Sequence, residues 1–304
     1  MDMKATTQGL PVSPNHRGLI LPLFLISGAT GLVYEVTWMR SLGTVFGNTV
    51  FAASTILTAF MLGLAIGSWL LGRHADRMTR PLRLYAWLEL GIGVYAFAFP
   101  AILNAVDRFY LWFYQTCQPG PHTLNLVRFV VSILILLLPT VLMGGTLPVL
   151  SGLWAATPGR SESRLRTGQG VGLLYAVNTF GAVLGSFLSG YYLIRLLGVN
   201  SSIYVTATAN VAIGSLAWLL SLGIRPRPVI PGAAKRKQQG LAALREQIAR
   251  AQESPTVYSE RVRTIALVGV FVAGFCAMAM EVLWSRVLVF VLGTSAYAFA
   301  CMLT

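Results

Sequence analysis

Seven long apolar stretches limit what this chain can fold into. A helix needs about 20 mostly apolar residues to cross the hydrocarbon core of a bilayer, and each stretch has that length. Only 11% of the 304 residues are charged, whereas a soluble domain has about 25%. The sequence therefore predicts an all-α polytopic membrane protein and argues against a soluble enzyme. The stretches lie at roughly 19–38, 50–71, 82–103, 124–147, 170–194, 202–222 and 264–284.

The basic residues predict the orientation of these helices, because cytoplasmic loops collect lysine and arginine. With the N-terminus inside, 18 of the 23 basic residues lie in cytoplasmic segments and five on the other side. We therefore expect a multi-pass membrane protein with a cytoplasmic N-terminus. The net charge of +13 then reflects topology and does not indicate nucleic-acid binding. The five exterior residues are Arg40, Arg108, Arg128, Arg195 and Arg286.

The first apolar stretch also has some features of a signal peptide. Lys4 and Arg17 precede a short apolar run, and small residues follow at 27–29, as at a cleavage site. The apolar character continues past that site, which favours a membrane span. The same pattern also recurs later in the chain.

An internal repeat links the start of the chain to its last residues. Residues 27–58 align with 273–304 without a gap and share 11 of 32 positions, including Glu-x-x-Trp-x-Arg. Six spans precede the second copy, so both copies enter the membrane in the same direction. Parallel halves of six helices build the major facilitator transporters. The sequence predicts one six-helix half of a major-facilitator-like bundle plus the start of a second parallel repeat.

The last apolar segment begins near Ser295 and stops at Thr304. As a helix it would rise only about 15 Å, half a bilayer, so we expect the chain to be a fragment of a longer protein. Four segments follow from these features. They are a cytoplasmic tail at 1–18, a six-helix bundle at 19–222, a basic cytoplasmic linker at 223–263 and a truncated repeat at 264–304.

The basic linker has two interpretations. Leu241, Leu244 and Ile248 share one helical face with arginines around them, which fits an amphipathic helix on anionic lipid at 235–250. A solvated linker fits equally well.

Three of the ten acidic residues, Glu35, Glu89 and Glu281, lie within or at the end of apolar stretches. An ionisable group at membrane depth costs several kcal/mol and suggests a function, so all three are candidate cation or proton sites. Glu89 has no basic residue on its own helix face and follows Trp87 closely. Its partner is expected from another helix, from water or from an organic cation, which a carboxylate beside aromatic rings attracts.

A structural clamp is the alternative for Glu35. On one continuous helix Glu35 and Arg40 cannot pair. If the helix ends near Trp38, Arg40 can turn back towards the carboxylate and Trp38 can lie in the interfacial aromatic belt. The second copy of the motif repeats this pattern with Glu281, Trp284 and Arg286.

Glycine and proline motifs suggest helix packing and helix ends. Small residues at four-residue spacing, at 63/67 and 181/185/189, allow close helix approach. Asn178 shares the face of the second group and predicts an interhelical hydrogen bond. Pro139 and the segment 144–148 are expected to interrupt the fourth span, as a kinked corner or as a gate. A cytoplasmic motif that links helix ends is predicted at Gly72, Arg73, Asp76 and Arg77.

Signatures of soluble catalysis are missing from the sequence. It contains no phosphate-binding glycine loop, no His/Cys cluster with metal-ligand spacing and no Gly-x-Ser-x-Gly elbow. We therefore predict no catalytic residues, no metal and no cofactor in this chain.

Five motifs occur in order between residues 27 and 185. They are SGATGLVYEVTWMR at 27–40, FMLGLAIGS at 60–68, GRHADR at 72–77, MGGTLPVL at 143–150 and LYAVNTFGAVLG at 174–185. Together they resemble the membrane region of bacterial membrane-bound spermidine synthase-like proteins. The resemblance implies a location in the bacterial inner membrane. It also implies a transporter-like region that is fused, in the family, to a cytoplasmic aminopropyltransferase-like domain. That domain would bind decarboxylated S-adenosylmethionine and putrescine, and no part of it occurs in these residues.

Two functions remain open. In the first, the helices form a transporter-like bundle that handles or senses a small cationic metabolite such as a polyamine. In the second, they anchor a cytoplasmic aminopropyltransferase-like domain in the lipid bilayer, and the carboxylates are structural.

Overall fold

The computed structural model describes residues 14–47, 50–75, 79–154, 161–223, 260–292 and 300–304. They belong to two compact units, one of Met1–Arg227 with Ser285–Thr304 and one of Pro228–Trp284. Each unit is described by itself. The segment 235–250, for which the sequence predicts contact with anionic lipid, lies outside the described residues.

Every secondary-structure element in the described part of the chain is helical, which confirms the all-α prediction. The last described residues, 300–303, are also helical. The second unit contains α8 (Glu260–Leu292) as far as Trp284, and its apolar side chains are largely exposed. The helices of the first unit are α1 (Pro14–Phe46), α2 (Val50–Ala75), α3 (Pro81–Cys117), α4 (Pro121–Trp154), α5 (Ser161–Leu188), a π-helical turn (Ser189–Leu193), α6 (Ile194–Leu197) and α7 (Val199–Leu222).

Six helical stretches among the described residues are long and apolar enough to cross a membrane. This is the pattern of a multi-pass membrane protein. The seven spans predicted from the sequence correspond to these six stretches, because two of the predicted spans, 170–194 and 202–222, fall within one stretch, Gly168–Leu222. Gly198, with φ +78°, breaks that stretch and separates α6 from α7. The left-handed backbone there favours glycine.

The helices of the first unit pack in pairs that are distant in sequence. The most extensive pairs are α2 with α4, α1 with α5 and α3 with α7, followed by α3 with α4 and α1 with α7. If α1, α2 and α3 are exchanged for α4, α5 and α7 in that order, this set of pairs maps onto itself. The bundle thus has an internal symmetry of helix pairing.

Glycines allow the closest of these approaches, as the small-residue spacing predicts. A Cβ on Gly63 or Gly67 would collide with Thr140 or Val141 of α4, and a Cβ on Gly185 would collide with Ala29 of α1. At both places the neighbouring helix occupies the volume that any larger side chain would need. Gly181 meets α1 in the same way, at Leu25.

Helix α4 is continuous from Pro121 to Trp154, so the predicted break in the fourth span is wrong, whereas a kink within this helix stays a prediction. Pro139 and Pro148 lie inside the helix. Proline lacks the N–H that would bond to the carbonyl four residues earlier, which for Pro139 is that of Ile135. The hydroxyl of Tyr95, on α3, donates a hydrogen bond of 2.6 Å to that carbonyl. The neighbouring helix thereby satisfies the group that the proline leaves unpaired.

The largest hydrophobic cluster is centred on Trp38, which is fully buried. Its ring is stacked between Tyr34 at 4.9 Å and Phe99 at 4.8 Å, measured between ring centroids. Helix α1 continues past this point to Phe46. The helix end near Trp38 on which the predicted clamp depends is therefore absent, and Trp38 belongs to the core and not to an interfacial belt.

Candidate functional site: a buried carboxylate between three helices

Glu89 of α3 is completely buried in the bundle. The hydroxyl of Ser27, on α1, donates to one carboxylate oxygen at 2.5 Å. The side-chain amide of Asn210, on α7, donates to the other at 2.5 Å. Both partners are neutral, and no lysine or arginine in the described ranges is paired with this carboxylate. Glu89 therefore joins three helices through hydrogen bonds alone.

Two tyrosines complete the cluster around Glu89. The hydroxyl of Tyr34 donates to the side-chain oxygen of Asn210 at 3.0 Å, which orients the amide so that its nitrogen points to Glu89. The Tyr85 hydroxyl is buried and lies beside Glu89 and Ser27. It does not reach hydrogen-bond geometry with any described residue. It thus places a further hydroxyl oxygen next to the carboxylate.

This arrangement accepts Glu89 in either protonation state. As a carboxylate, Glu89 accepts one hydrogen bond on each oxygen. When protonated, it can donate to Ser27, because a hydroxyl is both a donor and an acceptor and can turn. The Asn210 bond is unchanged by this. The geometry therefore allows Glu89 to gain and lose a proton without a change in the packing of the helices.

Helix packing creates this site from α1, α3 and α7. Gly93 of α3 would place a Cβ 2.9 Å from Val211 and 3.1 Å from the Ala207 carbonyl oxygen. The absence of a side chain at Gly93 lets α3 and α7 approach closely, so that Asn210 can contact Glu89 directly.

Trp87 is not part of the site. It is 59% exposed and packs edge-to-face on Trp218 of α7, with centroids 5.1 Å apart. Positions 87 and 89 are about 200° apart around a helix, so their nearness in sequence does not bring them together. The aromatic groups beside the carboxylate are Tyr34 and Tyr85.

The other two predicted acids lie on α1 and α8. Glu35 is buried on α1, whereas Arg40 on the same helix is exposed. Glu281 is partly buried on α8 and Trp284 is exposed. Arg286 lies near the end of α8 and is partly buried.

The predicted helix-linking motif is described only in part. Gly72 lies near the end of α2, where a Cβ would contact Pro148 of α4 at 3.6 Å. The Arg73 guanidinium lies over the Trp69 ring at 4.0 Å. Asp76 and Arg77 lie outside the described residues, so the linking role stays a prediction.

Sequence reasoning identified Glu89 but missed Ser27, Asn210, Tyr34 and Tyr85. A signal for Asn210 was present in the sequence, because it is the one amide side chain in the apolar stretch 202–222. No group of three or more His, Cys, Asp or Glu side chains that could hold a metal ion occurs among the described residues.

Comparison with known proteins gives one relevant similarity. No protein-family model matches the chain, and no solved structure matches it. The chain is 27% identical over 209 residues to polyamine aminopropyltransferase 2 of Streptomyces coelicolor. The match covers 68% of this chain and spans 35% of the relative's length. For the part of the relative that it covers, this match confirms the resemblance to spermidine synthase-like proteins that the sequence motifs indicate.

Proposed function

We propose that this chain is a transporter-like membrane domain of a spermidine synthase-like protein, which handles a small cation of the polyamine class. The observation that carries the proposal is Glu89, a fully buried carboxylate held by neutral partners from two other helices. A buried membrane carboxylate without a basic partner in the described residues suits a proton or a cationic ligand.

The pairing of the helices supports the transporter-like part of the proposal. Six-helix halves of major facilitator transporters consist of two inverted repeats of three helices. The pairs α2 with α4 and α1 with α5, and the pair α3 with α7, are those that such a repeat would produce. The site lies between the first and third helices of one triplet and the last helix of the other.

The chemistry of the cluster supports a cationic ligand. A primary ammonium group needs several oxygen acceptors. Glu89, Ser27, Tyr85 and the oxygen of Asn210 supply carboxylate, hydroxyl and amide oxygens from three helices. In the described conformation both oxygens of the carboxylate already accept a hydrogen bond. An ammonium group would therefore replace the hydrogen bond from Ser27 or, if Glu89 is protonated, the proton on its carboxyl group. The similarity to a polyamine aminopropyltransferase favours a polyamine among such cations.

The test is binding and uptake of labelled putrescine and spermidine by the full-length protein in proteoliposomes. Glu89→Gln should weaken binding about 10- to 100-fold, because a hydrogen bond to a charged group contributes about 1.5–3 kcal/mol. The glutamine keeps the shape and can hydrogen-bond to both Ser27 and Asn210, so folding should be preserved.

Asp107→Asn is the matched control, because Asp107 is an exposed carboxylate on the same helix. It should leave binding unchanged. If Glu89→Gln binds and transports both polyamines like the wild type, the carboxylate site is wrong.

The second candidate function is an anchor for an aminopropyltransferase-like domain. The observation in its favour is that both oxygens of Glu89 are satisfied within the protein, as a purely structural polar cluster requires. In that case Glu89→Ala should lower stability, since it leaves Ser27 and Asn210 unsatisfied, while the wild-type protein neither binds nor transports polyamines.

A further inference from the structure

Arg83 is held in a fixed position at the start of α3. Its Nε donates to the hydroxyl of Ser221, on α7, at 3.3 Å. Its guanidinium carbon lies 5.4 Å from the centre of the Trp218 ring, within the range of a cation–π contact. These contacts leave the two terminal nitrogens of Arg83 without an acceptor among the described residues. The guanidinium is thus oriented and still able to bind an anion.

The surroundings of Arg83 are positively charged. Arg80, three residues earlier, is exposed and precedes the first turn of α3. The N-terminus of a helix carries a partial positive charge. Helix α7 contains no charged residue, and the first acid on α3 is the buried Glu89. In the described part of this region, nothing neutralises the two arginines.

An apolar stripe continues from the arginines along α3. Trp87, one turn after Arg83, is 59% exposed, and Val94, two turns further, is 64% exposed. Trp87 lies about 6 Å along the helix axis from Arg83. Tryptophan prefers the boundary between headgroups and hydrocarbon. The order of charge, tryptophan and aliphatic side chains therefore matches the headgroup, boundary and acyl region of a phospholipid.

We propose that Arg80 and Arg83 bind the phosphate of an anionic phospholipid whose acyl chain lies along Trp87 and Val94. Charge complementarity favours an anionic lipid, because the ammonium group of a zwitterionic headgroup offsets the negative charge of its phosphate, so such a lipid brings no net charge to the two arginines. The apolar stripe favours a lipid over a soluble phosphate, because a soluble anion would gain nothing from it. This site is independent of Glu89 and of the proposed function.

The test compares lipid selectivity of the full-length protein in phosphatidylcholine vesicles that contain spin-labelled phosphatidylglycerol or spin-labelled phosphatidylcholine. The wild type should bind phosphatidylglycerol preferentially. Arg83→Gln should reduce that preference about fivefold, the effect of one basic residue near an anionic membrane surface. Arg80→Gln should give a similar loss without risk to folding, since its side chain is exposed.

Arg128→Gln is the matched control. Arg128 also lies over an aromatic ring, that of Tyr110 at 5.8 Å, and donates to the Tyr110 hydroxyl at 3.1 Å. Tyr110 lies about 40 Å along α3 from Arg83. The control should keep the preference of the wild type. An equal loss in Arg128→Gln, or no loss in Arg80→Gln and Arg83→Gln, would overturn the proposal. So would displacement of the labelled lipid by soluble glycerol phosphate.

Discussion

The hydrogen bond from Tyr95 to Ile135 gives a prediction that a thermodynamic cycle can test. Removing the hydroxyl by Tyr95→Phe leaves the Ile135 carbonyl without a donor, because Pro139 cannot supply one. Ile135 is buried, so water cannot replace the bond. We expect a loss of stability larger than that for an ordinary hydrogen bond between membrane helices.

Two contributions give the expected loss of stability, the hydrogen bond itself and the acceptor that is left without a donor. Hydrogen bonds between membrane helices contribute about 0.6 kcal/mol on average and up to about 1.7. A buried acceptor left unsatisfied costs about 1–3 kcal/mol. Tyr95→Phe should therefore lower the free energy of unfolding by about 1–2 kcal/mol. In a Pro139→Ala background the new N–H of residue 139 satisfies the carbonyl, and Tyr95→Phe should cost about 0.5 kcal/mol or less.

The assay is reversible unfolding in mixed detergent micelles, applied to the wild type, both single variants and the double variant. Tyr204→Phe is the control, because Tyr204 is an exposed tyrosine whose ring stacks on Phe97. Its stability should equal that of the wild type. If Tyr95→Phe costs the same with proline or alanine at position 139, Tyr95 does not compensate for the proline and the reasoning is refuted.

Two further predictions use the same assay. Gly185→Leu should lower stability by about 1–3 kcal/mol or more, because its side chain would collide with the backbone of Ala29, whereas Gly172→Leu, with open space around it, should be neutral. Trp38→Ala should lower stability by about 3–5 kcal/mol, since the ring is fully buried, while Trp112→Ala on the exposed surface should have little effect. This packing would be contradicted if Gly185→Leu lowered stability no more than Gly172→Leu, or if Trp38→Ala lowered it no more than Trp112→Ala.

The sequence predicts much of the architecture because membrane spans depend on local composition. The positions of the apolar stretches, the packing glycines and the place of Glu89 within an apolar stretch follow from residues close together in the chain. The partners of Glu89 do not. Ser27 is 62 and Asn210 is 121 residues away in sequence, and only the packing of α1 and α7 against α3 brings them to the carboxylate.

Two predictions were wrong for identifiable physical reasons. Trp87 was expected beside Glu89 because it is near in sequence, although it lies on the opposite side of the helix. Pro139 and the segment 144–148 were expected to interrupt the fourth span, whereas α4 is continuous there. The sequence alone does not reveal that Tyr95 of another helix satisfies the carbonyl that Pro139 leaves free.

The π-helical turn at Ser189–Leu193 has a consequence for the α1 interface. Gly181, Gly185 and Ser189 follow one another at four-residue intervals, whereas the next residue of this face, Ile194, which packs on Val36 of α1, comes five residues later. On an uninterrupted α-helix Ser189 and Ile194 would be about 140° apart, and one extra residue in a wide turn reduces the difference to about 40°. The turn therefore corrects the rotational phase of the helix. Deleting one residue from it would leave the chain helical but rotate everything from Ile194 to Gly198 away from α1.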